Sequence, residues 1–325
     1  MFLPVRTCSF VRLIVDFAAL LNTFLILIIC LDQQAAAMSE KPTAYEGRNL
    51  LGFQFYLKHS EEHKVIQGFV DRVLPGVFKR IAQGKSQMDI LGVGSGGGEI
   101  DAHILSVIGS ELPAISLSAD IVEPSMELSD NFKALVRRTP SLQKIPISWH
   151  TVTCEGFEKQ VKDNGNVKRF DLIHMIQMLY YVKDYPRMIQ FFHSLLKDNS
   201  KLLIVHEGAG SGWDILWKTY RAELCTKTVS DYMSAGDIKV HLNQLGLRYE
   251  EHLISSTMDI TACFTKGDEM GELLLDFMTE QDHFYQSLTP DLQTGILDLL
   301  RNKCSTEKNG RILFDNSLCC LLVYS

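Results

Sequence analysis

Residues 89–101 read DILGVGSGGGEID, a short apolar run followed by five glycines within seven residues and then by acidic residues. The apolar run predicts a buried β-strand, and the residues after the glycines predict the start of a helix. A strand, a glycine-rich turn and a helix in this order form the nucleotide-binding unit of many α/β proteins. The stretch therefore predicts such a fold, and the rest of the chain must identify the ligand.

The alternation of strand and helix continues along the chain. Apolar runs predict further strands at 118–122, 146–152, 169–176 and 201–207. Helical periodicity covers 46–83, and after 208 the pattern changes to an aromatic helix, to further helices near 270–281 and 290–302, and to a closing extended segment. Strands that alternate with helices predict a mostly parallel sheet with helices on both faces.

The composition is that of an ordinary globular protein. The chain has 325 residues, 46% of them hydrophobic and 22% charged, with a formal net charge of −7. This acidic balance does not predict a nucleic-acid partner. The eight cysteines contain no Cys-x-x-Cys pair, so they predict neither a metal site nor a disulfide framework. A cytoplasmic location is expected for such a chain.

The first 37 residues argue against that location. Residues 11–30 are mostly apolar, with Arg6 before them and Arg12 near their start, and the alanines at 35–37 stand at the distance of a signal-cleavage site. Residues 1–37 are therefore either a signal or membrane anchor, or an upstream extension that does not belong to the working protein. Met38 begins a sequence typical of the start of a soluble chain. Contact with a membrane is expected only if 11–30 is retained.

The glycine-rich loop is compatible with some ligands and not with others. A P-loop needs Gly-Lys-Ser/Thr, whereas Gly98 is followed by Glu99. The glycines from Gly92 onward also fit the G-x-G-x-x-G spacing of dinucleotide-binding proteins, and Glu123 ends the second strand at a ribose-binding distance. A nicotinamide dehydrogenase therefore stays possible. However, Glu99 and Asp101 in the first helical turn would repel a pyrophosphate, which favours a ligand without phosphates.

The segment after the fourth strand favours one class of enzyme. Residues 170–186 read FDLIHMIQMLYYVKDYP and resemble the motif that borders the cofactor and the target amine in class I methyltransferases. The resemblance extends to the histamine N-methyltransferase family over about 46–325. It is carried by the glycine-rich stretch and by SEEH (60–63), DIVEPS (120–125), ISWH (147–150), GSGWDILWKTY (210–220) and LFDNSL (313–318).

The resemblance implies a Rossmann-like α/β fold with a mostly parallel seven-stranded sheet, helices on both faces, an N-terminal helical cap and inserted substrate-binding helices. The methyltransferase domain would span 38–325, with substrate-binding elements in 46–83 and 208–316. The cofactor would be S-adenosylmethionine, and a ring nitrogen of histamine would receive the methyl group, which inactivates the amine. An in-line displacement aligned by an aromatic box, without a dedicated catalytic base, is expected, as is a monomer.

The resemblance also implies roles for individual residues. The cofactor would be contacted by Gly94, Glu123 and Ile176. The substrate would form hydrogen bonds with Glu62, Gln177 and Asn316. The aromatic box would be formed by Phe53, Tyr180, Tyr181, Trp213, Trp217, Phe264 and Phe277.

Three positions depart from the family pattern. Asn49 stands where the family has a tyrosine of the box, and Leu128 and Cys154 replace a glutamine and a serine on the cofactor side. Leucine cannot form a hydrogen bond and a thiol is a weak donor. Two alternatives therefore remain: a relative that acts on another small amine or imidazole, and an inactive protein that binds S-adenosylmethionine without transferring its methyl group.

Overall fold

The computed structural model describes residues 47–165, 167–224 and 232–325. The apolar run at 11–30 and the whole of segment 1–37 lie outside these residues. In the described parts of the chain, no helix is both long and apolar enough to cross a membrane.

The described residues form ten strands. They are β1 (Gln87–Val93), β2 (Ser116–Val122), β3 (Ile147–His150), β4 (Phe170–Ile176), β5 (Leu196–Glu207), β6 (Tyr249–Ile254), β7 (Thr257–Asp259), β8 (Ser305–Lys308), β9 (Arg311–Asp315) and β10 (Leu318–Tyr324). The helices are α1 (Gly47–His59), α2 (Glu62–Arg72), α3 (Leu74–Ile81), α4 (Glu99–Glu111), α5 (Met126–Arg138), α6 (Cys154–Asn164), α7 (Tyr185–Ser194), α8 (Gly212–Thr219), α9 (Arg221–Leu224), α10 (Ala235–Gln244), α11 (Glu269–Thr279), α12 (Phe284–Ser287) and α13 (Pro290–Asn302). Short 3₁₀ helices cover Leu179–Tyr181 and Thr261–Phe264.

A seven-stranded sheet in the order β3-β2-β1-β4-β5-β10-β6 forms the centre of the described chain. The first five strands in this order pair in parallel with one another. Strand β10 runs antiparallel to both β5 and β6. This arrangement confirms the mostly parallel, Rossmann-like sheet that the sequence predicts. The observed bounds differ from the predicted ones by a few residues, and most at β5, which begins at Leu196 because that residue already pairs with Phe170.

Alternate residues of the strands face opposite sides of the sheet, and helices cover both faces. In β10, Leu318, Cys320 and Leu322 join one buried cluster, which α2 to α5 complete. Cys319 and Leu321 join a second cluster on the other face, which α6, α7 and α10 complete. Burial on both faces explains why these strands read as continuous apolar runs in the sequence.

A third hydrophobic cluster is built from α1, from the segments that follow β5, and from a small sheet in the order β7-β9-β8. Helix α1 lies directly against α11, since a Cβ atom on Gly52 would come within 2.8 Å of the Cβ of Phe277. Helix α1 therefore packs against elements that follow β5, and together they form one side of the candidate site.

Candidate active site

The glycine-rich loop between β1 and α4 has little free space at two of its glycines. Gly94 and Gly98 have φ angles of +66° and +81°, which favour glycine. A Cβ atom on Gly94 would lie 2.7 Å from the Cβ of Met178, and one on Gly98 would lie 2.0 Å from the ring of Phe132. The loop is thus fitted against the end of β4 and against α5.

Asp101 fixes the inner side of this loop. Its carboxylate is buried and accepts a hydrogen bond from the Ser95 hydroxyl at 2.7 Å, and it lies 3.5 Å from Nε2 of His174. Burial raises the pKa of Asp101 and lowers the pKa of His174. Asp101 therefore supports the shape of the loop from within.

Glu123 lies at the end of β2 beside the same loop. One carboxylate oxygen accepts the backbone N–H of Gly96 at 2.8 Å, and the other accepts that of Ser125 at 2.9 Å. Burial raises the pKa of this carboxyl group, which the two backbone bonds oppose. Glu123 is thereby held in one orientation, and the unused lone pairs of its oxygens can still accept hydrogen bonds from a ligand.

The three residues assigned to the cofactor lie at the carboxyl ends of neighbouring parallel strands, where open α/β sheets bind their ligands. Gly94 follows β1, Glu123 follows β2, and the half-buried Ile176 ends β4. Cys154, at the start of α6, is buried, and burial raises the pKa of its thiol to about 12. Leu128 is half-buried in the first turn of α5. The acceptor at Glu123 and the glycine loop fit an adenosine-type ligand, with apolar groups on this side of it.

The three predicted substrate residues are joined by one chain of hydrogen bonds. Gln177 donates through Nε2 to Glu62 at 3.2 Å and to Glu207 at 3.3 Å. The hydroxyl of Tyr56 donates to the same oxygen of Glu62 at 2.5 Å, and Asn316 donates to Tyr56 at 3.2 Å. The chain therefore runs from Glu207 to Asn316 and connects segments that are far apart in sequence.

Gln177 occupies an unusual backbone position in this chain. It follows β4 with a φ angle of +50°, where a side chain other than glycine is strained. Its backbone N–H donates to the carbonyl of Val205 at 2.9 Å, which holds the residue in place. Strain of this kind is often found at functional sites, where the surrounding structure imposes it.

Burial shifts the pKa values of the acidic groups in the chain of hydrogen bonds. Burial raises the pKa of Glu62, and it raises that of Glu207 to about 7. Burial and the nearby Glu62 raise the pKa of Tyr56 well above its usual value, so its hydroxyl keeps its proton. Asn316 is fully buried and its backbone N–H donates to Ser256.

Tyr56 and Glu207 are members of this site that the sequence did not single out. Tyr56 lies three residues after Phe53 on the same helical face, so its pattern is that of core packing. Glu207 ends the apolar strand KLLIVHE. An acidic residue at the carboxyl end of a buried parallel strand is the signal that could have identified it.

Aromatic side chains surround the Tyr56 end of the hydrogen-bonded chain. The ring centroids of Tyr56 and Phe277 are 5.1 Å apart, and those of Tyr56 and Trp213 are 5.9 Å apart. Phe53 lies 5.9 Å from Phe277. The structure therefore brings together three of the predicted box residues around Tyr56.

The other predicted box residues have different neighbours. Tyr180 stacks on His206 at 5.4 Å, beside Glu207, and its ring lies 4.4 Å from that of Tyr181. The remaining pairs are Trp217 stacked on Tyr232 at 5.9 Å, and Phe264 under the guanidinium group of Arg301 at 5.1 Å. The side chain of Asn49 is outside what the structure describes.

The site as a whole combines acceptor oxygens with aromatic walls, next to a glycine loop and a fixed carboxylate. The acceptor oxygens and the aromatic walls suit a small flat amine, since carboxylates and amide oxygens accept N–H groups while aromatic rings exclude water. In the described residues, no group of three His, Cys, Asp or Glu side chains is placed to hold a metal ion.

Comparisons with known proteins agree with this architecture. Residues 66–252 match a family model described as a methyltransferase domain. Histamine N-methyltransferase of Xenopus tropicalis is 42% identical over 277 residues, which cover 85% of this chain and 94% of that protein. The Bos taurus histamine N-methyltransferase is 40% identical over 277 residues, which cover 85% of this chain and 95% of that protein.

Among solved structures, the YcgJ protein of Bacillus subtilis is similar, with a TM-score of 0.50 and 13% identity over 77% of this chain and 96% of that one. This likeness supports the fold alone. The identity to the curated relatives and the nearly complete coverage of their length go further, and they show that the chain belongs to the histamine N-methyltransferase family.

Proposed function

We propose that this protein transfers a methyl group from S-adenosylmethionine to an imidazole ring nitrogen of histamine and thereby inactivates it. The observation that carries the proposal is a set of buried acceptor oxygens along the hydrogen-bonded chain that have no partner among the described residues. They are Oε1 of Gln177, Oδ1 of Asn316 and Oε2 of Glu207. Buried acceptors without donors are costly, and histamine carries N–H groups on its ring and on its amine.

The cofactor side of the proposal rests on Gly94, Glu123 and Ile176. Glu123 would accept hydrogen bonds from the ribose hydroxyls, and Ile176 would contact the adenosyl group. The loop at Gly94 lets the backbone come close to the ligand. When bound, S-adenosylmethionine supplies a methyl group activated by its sulfonium. Leu128 and Cys154 offer the adenine an apolar contact in place of hydrogen bonds.

The residues of the chain would act by alignment and by selection of the correct proton state. A neutral imidazole has a lone pair on one nitrogen, so the attack needs no base to begin, and the proton on the other nitrogen leaves to water afterwards. Glu62 and Gln177 would hold the ring N–H and leave the other nitrogen free to face the methyl group. The rings of Phe53, Trp213 and Phe277 would exclude water and fix the plane of the imidazole.

The test is a transfer assay on the full chain with methyl-labelled S-adenosylmethionine and histamine. We expect label on the imidazole ring of the product, and a loss of about tenfold or more in kcat/KM for Glu62→Gln, because one buried charged hydrogen bond is removed. Glu61→Gln is the matched control, since Glu61 is the neighbouring carboxylate and is exposed. It should retain the activity of the unchanged chain.

Two other results would contradict the proposal. Transfer only to a different amine or imidazole would identify a relative with another substrate. Binding of S-adenosylhomocysteine without transfer to any amine would identify an inactive member of the family.

We also propose that residues 38–325 form the methyltransferase domain and that the protein acts as a cytoplasmic monomer. Contacts between 46–83 and 208–316, such as Asn316 with Tyr56, support the assignment of substrate-binding elements to both ranges. The described cysteines are free and buried, which supports a reducing environment. Size-exclusion chromatography and fractionation of cells would test the monomer and the location.

A further inference from the structure

Glu207 is a buried carboxylate with an unused hydrogen-bonding atom. It ends β5, and the residue is 7% exposed. Its Oε1 accepts a hydrogen bond from Gln177 at 3.3 Å. Its Oε2 is also buried, yet it has no hydrogen-bond partner among the described residues. A buried carboxylate in this state is costly unless a ligand supplies a donor or a positive charge.

The nearest basic side chain does not supply that charge. Oε2 of Glu207 lies 3.2 Å from Nδ1 of His206, but the two atoms do not form a hydrogen bond. The ring of His206 uses Nε2 to donate to the carbonyl of Met233 at 3.1 Å, so Nδ1 is the atom without a proton in the neutral ring. Burial lowers the pKa of His206 to about 4, so the ring is neutral near pH 7.

A second carboxylate lies on the other side of the same amide. Nε2 of Gln177 donates to Glu62 as well as to Glu207, so the two acids are both within hydrogen-bonding distance of one nitrogen. The ring of Tyr180 stacks on His206 next to Glu207. The site therefore offers two separate anionic positions with aromatic surface beside each of them.

We propose that Glu207 binds the cationic side-chain amine of the acceptor and so selects imidazoles that carry such an amine over imidazoles that do not. The proposal rests on the proposed function and assigns the ring N–H to Glu62 and the ammonium group to Glu207. An acceptor with both groups satisfies both acids, whereas a bare imidazole leaves Oε2 of Glu207 buried without a donor.

The titration of Glu207 adds a second, independent signature. The titratable groups that face it are Tyr56, Glu62, His206, Asp214 and Tyr232. Lys218 lies 2.8 Å from Asp214 and also pairs with Asp237, so these two carboxylates already engage its ammonium group. Because burial raises the pKa of Glu207 to about 7, the anion that binds an ammonium group forms as the pH rises through neutrality.

The experiment compares two ligands on the full chain in the presence of S-adenosylhomocysteine. Histamine and 4-methylimidazole share the ring, but only histamine carries the amine. Calorimetric titration should show that Glu207→Gln weakens histamine by about tenfold or more and changes 4-methylimidazole by less than about twofold. The unchanged chain should bind histamine more tightly than Glu207→Gln does, and this difference in affinity should grow as the pH rises through neutrality. Glu61→Gln should match the unchanged chain for both ligands.

Each other outcome overturns the inference. Equal weakening of both ligands would mean that Glu207 only supports Gln177, and no weakening would mean that it does not contact the amine. No binding of either ligand to the unchanged chain would overturn it too. Glu207→Gln should keep its thermal unfolding temperature or raise it, so a loss of fold is distinguishable. A chain that binds histamine through Glu207 but transfers no methyl group would overturn the proposed function alone.

Discussion

The hydroxyl group of Tyr56 orients two of the predicted substrate residues at once. It donates to Glu62 at 2.5 Å and accepts from Asn316 at 3.2 Å, and all three residues are buried. Without the hydroxyl, the amide of Asn316 would lose its donor contact and Glu62 would keep only the bond from Gln177. One oxygen atom therefore positions both Glu62 and Asn316.

Tyr56→Phe should lower the free energy of unfolding by about 1–3 kcal/mol, because it leaves buried polar groups without partners. Tyr285→Phe is the matched control, since Tyr285 is half-buried and keeps its ring beside Lys266 in the variant. Urea unfolding of both variants checks the prediction. Equal changes in the two would show that the Tyr56 hydroxyl is not special.

Glu207 should also make stability depend on pH. Its pKa is raised from 4.5 to about 7, so the folded state holds this proton where the unfolded state releases it. The stability contributed by the bound proton is therefore complete below pH 4.5 and is lost as the pH rises through 7. Relative to Glu207→Gln, the unchanged chain should lose about 3 kcal/mol over this range. Urea unfolding at several pH values measures the difference, and a constant difference would contradict the assignment.

At the scale of secondary structure, the glycine-rich stretch shows both what a sequence predicts and what it leaves open. DILGVGSGGGEID predicts a strand, a turn and a helix, and β1 and α4 confirm them. The same stretch of sequence does not indicate at which glycines other side chains leave no room for a Cβ atom. Gly98 meets the ring of Phe132, and Gly94 meets Met178, which come from distant positions in the chain.

Two glycines of this loop form a matched pair for a test. Both have positive φ angles, +54° at Gly96 and +81° at Gly98, but a Cβ on Gly96 would meet no atom within 4 Å. Gly96→Ala should cost about 1–2 kcal/mol of unfolding free energy from backbone strain alone. Gly98→Ala should cost about 3 kcal/mol or more, since it also displaces Phe132. Chemical unfolding measures the loss of unfolding free energy in both variants. Equal losses would mean that α5 moves enough to make room for the added methyl group.

The substrate side of the site was only partly predictable. Family resemblance named Glu62, Gln177 and Asn316, and the structure brings them into one hydrogen-bonded chain. The bond from Gln177 to Glu62 spans 115 positions of the sequence and the bond from Asn316 to Tyr56 spans 260, and periodicity carries no information over such distances. For this reason, the sequence pattern does not distinguish Tyr56 from a core-packing residue or Glu207 from an ordinary strand end.

At the scale of the whole molecule, β10 completes the seven-stranded sheet although it comes after the other six strands of that sheet in the sequence. It pairs with β5 on one side and with β6 on the other, and six of its seven residues are buried. The sequence predicts an extended segment here. It does not predict the position in the sheet, because strand order depends on pairings that no local pattern records.

A chain that stops after Ser317 should not fold cooperatively. It lacks β10, so β5 and β6 lose their shared partner and both hydrophobic clusters on the sheet lose side chains. A chain that stops after Tyr324 is the control and should unfold like the unchanged protein. Circular dichroism during urea unfolding separates the two. A sharp transition in the shorter chain would contradict the central role of β10.

The late position of β10 has a consequence for biosynthesis. The ribosome makes every other strand of the sheet first, and during that time β5 and β6 each present an open edge to solvent or to a chaperone. Asn316 lies just before β10, so the chain of hydrogen bonds from Glu207 to Asn316 is completed at about the same moment as the sheet. A nascent chain therefore completes its sheet and this chain of hydrogen bonds together, once β10 has been made.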